Sequence, residues 1–124
     1  MFGKIKVLPI IVILVFLVCF VSLIADTEET GHVSGIVRVL NWQTGKWEDP
    51  NPGEQVHVII FLNGGWYAQE ICTITNGNYD VNFSGYQYAS SCTRVDVYYR
   101  NQAFTEDFNY SSGTVVDINF IPVK

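Results

Sequence analysis

Residues 73–85 read TITNGNYDVNFSG, and the fold turns on whether they bind an ion or reverse the chain. Asn76, Asn78 and Asp80 fall on alternate positions, as oxygen ligands do at the start of a calcium loop. Such a loop needs glycine at its sixth position and an acid at its twelfth; the chain has Val81 and Gln87 there. The residues therefore specify no metal site. Asn76-Gly77 is a strong signal for a two-residue β-hairpin turn. Past it, Tyr79, Val81 and Phe83 alternate with Asp80 and Asn82, which predicts a strand over 79–83 with its aromatic and aliphatic side chains in a core.

The same punctuation continues in both directions. Residues 32–40 (HVSGIVRVL) predict a first strand with Val33, Val37 and Val39 on one face, and 41–55 a loop rich in Gly, Pro and Asn. Residues 56–62 (VHVIIFL) are apolar on both faces, as a central strand is. Asn63-Gly64-Gly65 turns the chain into a strand over 66–75, and 84–91 form a loop. Residues 93–100 place Val95, Val97 and Tyr99 inside and Arg94 and Asp96 in water; a sixth strand is expected over 104–110. The seventh, over 114–121, points Val116, Ile118 and Phe120 inward and stops at Pro122. No sustained helical period follows residue 25. Seven short strands in about a hundred residues predict an all-β, two-sheet Greek-key sandwich.

The N-terminus is of another kind. Lys4 and Lys6 precede an apolar run over 7–25, interrupted by Pro9 and Ser22, and Asp26, Glu28 and Glu29 follow. That layout predicts a secretory signal peptide or an N-terminal membrane anchor helix over 1–25, with a polar linker at 26–31 and a domain at 32–122. Ala25 suits a cleavage site and Leu23 does not, so both alternatives stand. In either, the basic start stays inside and the domain is secreted or faces outward at the cell surface. A lipoprotein signal fails because Val18 precedes Cys19, and a prepilin signal because Gly3 precedes the lysines.

All twelve acids lie after residue 25, against five cations there, a balance of −7. With no basic patch, nucleic acid is not an expected partner. Cys72 and Cys92 are the only cysteines in the exported part. An even pair outside the cytoplasm predicts a disulfide, which would close a loop worth roughly 3 kcal/mol. A zinc site is the alternative, but His32 and His57 lack the ligand spacing for one, and no cofactor is expected.

Gly35-Ile36-Val37, Pro52-Gly53 running into an alternating strand, TITNGNY at 73–79, Val95-Asp96-Val97 and TVVDINFIP at 114–122 occur in a recognisable order. Over residues 32–122 the chain resembles the transthyretin-like (prealbumin-like) sandwiches, particularly the carboxypeptidase regulatory-like and Cna-B domains. The resemblance implies an extracellular, non-catalytic module of a surface protein. The first loop, WQTGKWEDPNPG, is longer than that family's usual turn, and the two cysteines are outside its pattern. The fold's hydrolase branch carries a histidine-rich set and a C-terminal Tyr-Arg-Gly-Ser, whereas this chain ends Phe-Ile-Pro-Val-Lys and follows Tyr99-Arg100 with Asn-Gln. Neither Lys46, in a loop, nor Lys124, at the end, suits the internal isopeptide bond of some Cna-B domains.

Fifteen residues after position 25 are aromatic. Trp42, Trp47, Trp66, Tyr67, Tyr86 and Tyr88 fall in or beside loops, where ring faces stack on sugars or anchor a protein. The competing expectation is that they close the ends of a small sandwich. Asn82-Phe83-Ser84 and Asn109-Tyr110-Ser111 are glycosylation acceptors in an exported chain. The expected function is a cell-surface structural or binding module that meets protein or carbohydrate through its aromatic loops. The alternatives are a filament or surface-layer subunit self-associating through sheet edges and, more remotely, a hydrolase. Membrane contact is expected only through residues 7–25 if they are retained.

Overall fold

The computed structural model describes residues 30–124. The expected signal or anchor at 1–25 and most of the 26–31 linker lie outside the described residues. Among the described residues no helix is long and apolar enough to cross a membrane.

Among the described residues nine strands form two sheets. They are β1 (His32–Asn41), β2 (Lys46–Glu48), β3 (Gln55–Leu62), β4 (Gly65–Thr73), β5 (Asn78–Asn82), β6 (Arg94–Tyr99), β7 (Gln102–Asp107), β8 (Thr114–Val115) and β9 (Ile118–Phe120), with one 3-10 turn at Ala89–Ser91. One sheet has the order β4-β3-β6-β7, all antiparallel. The other is built on β1, which pairs antiparallel with β2 and β5 and parallel with β8 and β9. Val33 and Ser34 pair with both β5 and β8, and Val39 with both β2 and β9, so β1 is filled along both edges. The inward alternation of both sheets meets in one core, with Val33, Val37, Tyr79 and Phe83 from the first and Val56, Val58, Ile60, Val95, Val97 and Tyr99 from the second.

The stretch at 73–85 is a hairpin. Asn76 and Gly77 have φ of 53° and 77°, the pair of left-handed residues that a type I′ turn requires, and Thr75 and Asn78 exchange both backbone hydrogen bonds. The tip is tucked in. A Cβ on Gly77 would lie 2.4 Å from the Arg38 guanidinium, which pairs with Asp49 at 3.1 Å. Tyr79, Val81 and Phe83 are buried while Asp80 and Asn82 are exposed, as the alternation requires.

Several expectations need correction. Nine strands replace seven because the expected loop at 41–55 folds back as β2, closed by Asn41, whose Oδ1 accepts the Gln43 N–H at 2.9 Å. The final strand is cut into β8 and β9 at Val116-Asp117. There the Asp117 carboxylate accepts the Ile36 N–H at 2.9 Å, and the Tyr79 hydroxyl donates to the Val116 carbonyl at 2.6 Å. Side chains thus take over two ladder positions. The sixth expected strand starts earlier, because Arg100-Asn101 makes a tight turn at φ 48° and 67° without any glycine to announce it. Asp96 does face outward but is buried rather than wet. Thr105 Oγ1 donates to it at 2.8 Å and the Arg94 Nε lies at 3.3 Å, with the guanidinium 3.9 Å above the Phe61 ring.

Gly35 is the tightest point. A Cβ there would stand 2.0 Å from the Val116 carbonyl oxygen and 3.0 Å from the Tyr79 ring. Gly35→Ala should therefore lower the unfolding free energy by roughly 1–3 kcal/mol or more. Gly85→Ala, where nothing lies within 4 Å, should change it by less than about 0.5 kcal/mol. Urea unfolding of both variants measures the contrast; equal midpoints would show that the close approach is dispensable.

Candidate binding surface

The six aromatics singled out in the sequence stand in two groups at opposite ends of the sandwich. Trp42 and Trp47 flank the β1–β2 hairpin, where Trp47 lies across from Leu40. The Trp42 indole N–H donates to the Pro122 carbonyl at 2.8 Å, and the Lys124 ammonium sits 5.1 Å from the ring centre. Both tryptophans remain 45% exposed. This end also holds the turn at residues 50–54 and the β6–β7 turn.

Trp66, Tyr67, Tyr86 and Tyr88 gather at the other end. Trp66 lies beside Phe61 across the β3–β4 pair, and a bulge puts Tyr67 out of register as an extra residue of β4. The Tyr67 hydroxyl donates to the Gln87 carbonyl at 2.9 Å, and its ring meets Tyr88 edge-on at 6.5 Å. Tyr86 packs on buried Phe83 at 5.4 Å and donates to the Glu70 carboxylate, a bond that raises the Tyr86 phenol above its ordinary range. Tyr88 takes φ 76°, a left-handed conformation that costs a side chain roughly 1–2 kcal/mol, and is 58% exposed. Tyr110 joins this end through Phe108 at 6.4 Å and through its carbonyl, which accepts the Gly31 N–H at 2.8 Å. Sequence reasoning did not single out Tyr110. Its signal was its place in the Asn109 acceptor.

Charge thins out toward the Trp66 end, where Glu70 accepts from Tyr86 and Arg94 stacks on Phe61. Residues 61–69, 81–93 and 108–116, which build the Trp66 end, contain no Asp, Glu, Lys or Arg. The opposite end carries Lys46, Glu48, Asp49, Glu54, Arg100 and Lys124. There Arg100 grips Glu54 with two bonds, Nε to Oε1 at 2.8 Å and Nη2 to Oε2 at 2.6 Å. The guanidinium beside Glu54 holds that carboxyl at about 2, below its ordinary 4.5. Arg100 also lies 5.1 Å from the Tyr99 ring, and burial pushes the Tyr99 hydroxyl up to about 12. These shifts follow from packing and pairing at the core's rim.

Two depressions lie near this charged end. One, of about 320 Å³, runs over the outer face of the four-stranded sheet between His57, Ile71, Tyr98 and Arg100. The other, of about 460 Å³, lies between residues 49–53 and the hairpin tip. Neither is lined by any of the six aromatics. Asn82 and Asn109 are exposed on the Trp66 end; the Asn82 Oδ1 accepts the Ser84 N–H at 2.7 Å and the Asn109 Oδ1 the Ser112 N–H at 3.1 Å, leaving each amide nitrogen outward.

The expected Cys72–Cys92 staple is absent from this arrangement, and both cysteines are free thiols. Cys72 pairs with Val56 at one end of β3, while Cys92 precedes Thr93, whose N–H reaches the Phe61 carbonyl. The five residues of strand between those points span about 17 Å, against a limit of about 7 Å between bridged Cα atoms. Cys72 faces β5, its thiol 3.5 Å from the Asp80 carbonyl, and burial pushes the Cys92 thiol up.

No protein-family model and no curated protein sequence matches the chain.

Two measurements follow from this geometry. Glu54 has a lowered carboxyl, so its pairing stabilises the fold fully above about pH 5 and is lost as pH falls toward 2. Glu54→Gln should flatten the unfolding midpoint between pH 5 and 2; an unchanged slope would show the pair to be inert. Without reductant, iodoacetamide should modify the half-buried Cys72 before Cys92, and Cys92 only on unfolding. A chain resistant at both positions until reduced would restore the bridge.

Proposed function

We propose that this chain is an exported, non-catalytic β-sandwich module of the cell surface that meets a protein or carbohydrate through aromatic side chains held outside its core. The carrying observation is the Trp42–Trp47 pair. Trp42 fixes its indole edge on the Pro122 carbonyl and leaves nearly half its surface in water, and Trp47, on the strand of the same hairpin, is equally exposed. A rigid ring with an open face loses little conformational entropy on binding.

The transthyretin-like resemblance supports the same reading. The two sheets, the 73–79 hairpin and a last strand returning beside the first are what that architecture calls for, and its regulatory-like members are non-catalytic surface modules. The titratable groups that are displaced here serve packing: Tyr79 is raised by burial and donates to Val116, and Glu54 is lowered by Arg100.

A second reading is favoured by β7. It is the last strand of its sheet, exposed at five of six positions, and its outer edge pairs with no described strand. An extended partner or a second copy could add there, as in a filament subunit.

A glycan array and binding to intact cells, read for the wild type, Trp42→Ala and Trp47→Ala, tests the first reading. Loss of about tenfold or more in affinity, with an unfolding midpoint close to wild type, is the expected result. Binding unchanged in both variants overturns it. Concentration-dependent sedimentation that Thr105→Pro abolishes would favour the second reading instead.

A further inference from the structure

The Trp66 end has a property the hairpin end lacks. It is where the chain enters the domain. Gly31 donates its N–H to the Tyr110 carbonyl at 2.8 Å and accepts from Phe83 N–H at 2.9 Å, so residue 30 leaves the sandwich among Phe83, Tyr86 and Tyr110. From there to Ala25 the linker is six residues, 26–31, with a reach of about 20 Å at most. If the apolar run at 7–25 stays in the membrane, this end, and not the hairpin end, faces the bilayer.

Its chemistry suits that position. The segments at 61–69, 81–93 and 108–116 carry no charge in a domain whose balance is −7, and charges that border them are engaged, Glu70 by Tyr86 and Arg94 by the Phe61 ring and Asp96. Exposed Trp and Tyr with Ser, Gly and Asn around them match the headgroup level of a bilayer, where amphipathic rings settle and where desolvating a charge would be costly. The opposite end, with its lysines, acids and Arg100, would stay in water. Tyr88 supplies an independent sign. It occupies a backbone conformation that glycine would adopt freely, yet the residue is 58% exposed, so its cost to the fold is little repaid by the core.

We propose that residues 7–25 remain as an anchor and that the aromatic end seats Trp66 and Tyr88 on the outer surface of the chain's own membrane, turning the Trp42–Trp47 hairpin toward its protein or carbohydrate partner. The partner of this end is a lipid surface of low charge. It rests on the anchor alternative at the N-terminus and not on the hairpin's ligand. It also sets the end against glycosylation, because a glycan on Asn82 or Asn109 would stand between the domain and the bilayer.

The test uses the full chain reconstituted in phosphatidylcholine vesicles, with and without lipids brominated near the headgroups. One variant, Trp42→Phe with Trp47→Phe, leaves Trp66 as the emitter; Trp66→Phe leaves the other two. β3 alone places about 25 Å between the two ends. Trp66 emission should be quenched several-fold more than that of Trp42 and Trp47 and should shift to the blue relative to detergent. Adding Tyr88→Gly to the Trp66-only chain should reduce that quenching without lowering the unfolding midpoint. Equal quenching of the two emitters, or none of Trp66, overturns the proposal. So does a glycan found by mass spectrometry on Asn82 or Asn109 of the native protein. Carbonate extraction of the native chain from its membrane would remove the anchor and the proposal together, while hairpin binding on the array would be untouched.

Discussion

Strand β1 carries partners on both edges and the second sheet over its inner face, and this crowding is feasible only where it has no side chain to spare. Gly35 is that place. The Val116 carbonyl approaches to where a Cβ would be, the Tyr79 ring lies over it, and the Tyr79 hydroxyl takes the carbonyl as its acceptor. One missing methyl lets the C-terminal strand dock parallel beside the N-terminal one. It also lets a hairpin from the middle of the chain cover the joint. Burial raises the phenol above its ordinary range and so favours its neutral, donating form. A buried carbonyl without that donor would cost about 1–3 kcal/mol, comparable with removing a large part of a side chain from the core.

With the sheets joined there, the two ends of the sandwich differ in kind. At one, Arg100 and Glu54 hold the β6–β7 turn to the residues before β3, and Arg38 and Asp49 close over the hairpin tip. At the other, the contacts are aromatic: Phe83 on Tyr86 and Phe108, Tyr67 on Tyr88, Phe108 on Tyr110. The first end is sensitive to acid and salt. The second gains from any surface that covers rings without removing charges from water. Such polarity is a physical asymmetry on which an orientation can act.

The hairpin at 73–85 was readable because Asn-Gly has few uses other than a left-handed turn, and alternation after it admits one inward set. The central place of β3 was readable from apolar residues on both of its faces. Other features had no local mark. Asp117 substitutes a side chain for a backbone acceptor, so a continuous apolar alternation at 114–121 conceals a break. Arg100-Asn101 turns without glycine because Glu54, forty-six residues earlier, grips the guanidinium and offsets the strain. Asp96 reads as an outward acid by parity, and its parity is right. Its burial comes from Thr105 and the Arg94–Phe61 stack on neighbouring strands.

By itself, the sequence determined the elements that short-range physics controls: β-strands by period-two alternation, turns by residues that tolerate positive φ, and an acidic part behind an apolar start. It also named the aromatics that could make contact. Only the tertiary structure decided their grouping, because which loops share an end depends on strand order, and strand order is a property of long-range pairing. That is why Trp42 and Trp66, alike in the sequence, stand about the length of a strand apart. It is also why Cys72 and Cys92, twenty residues apart in the chain, lie toward opposite ends of one sheet, beyond the reach of a bond.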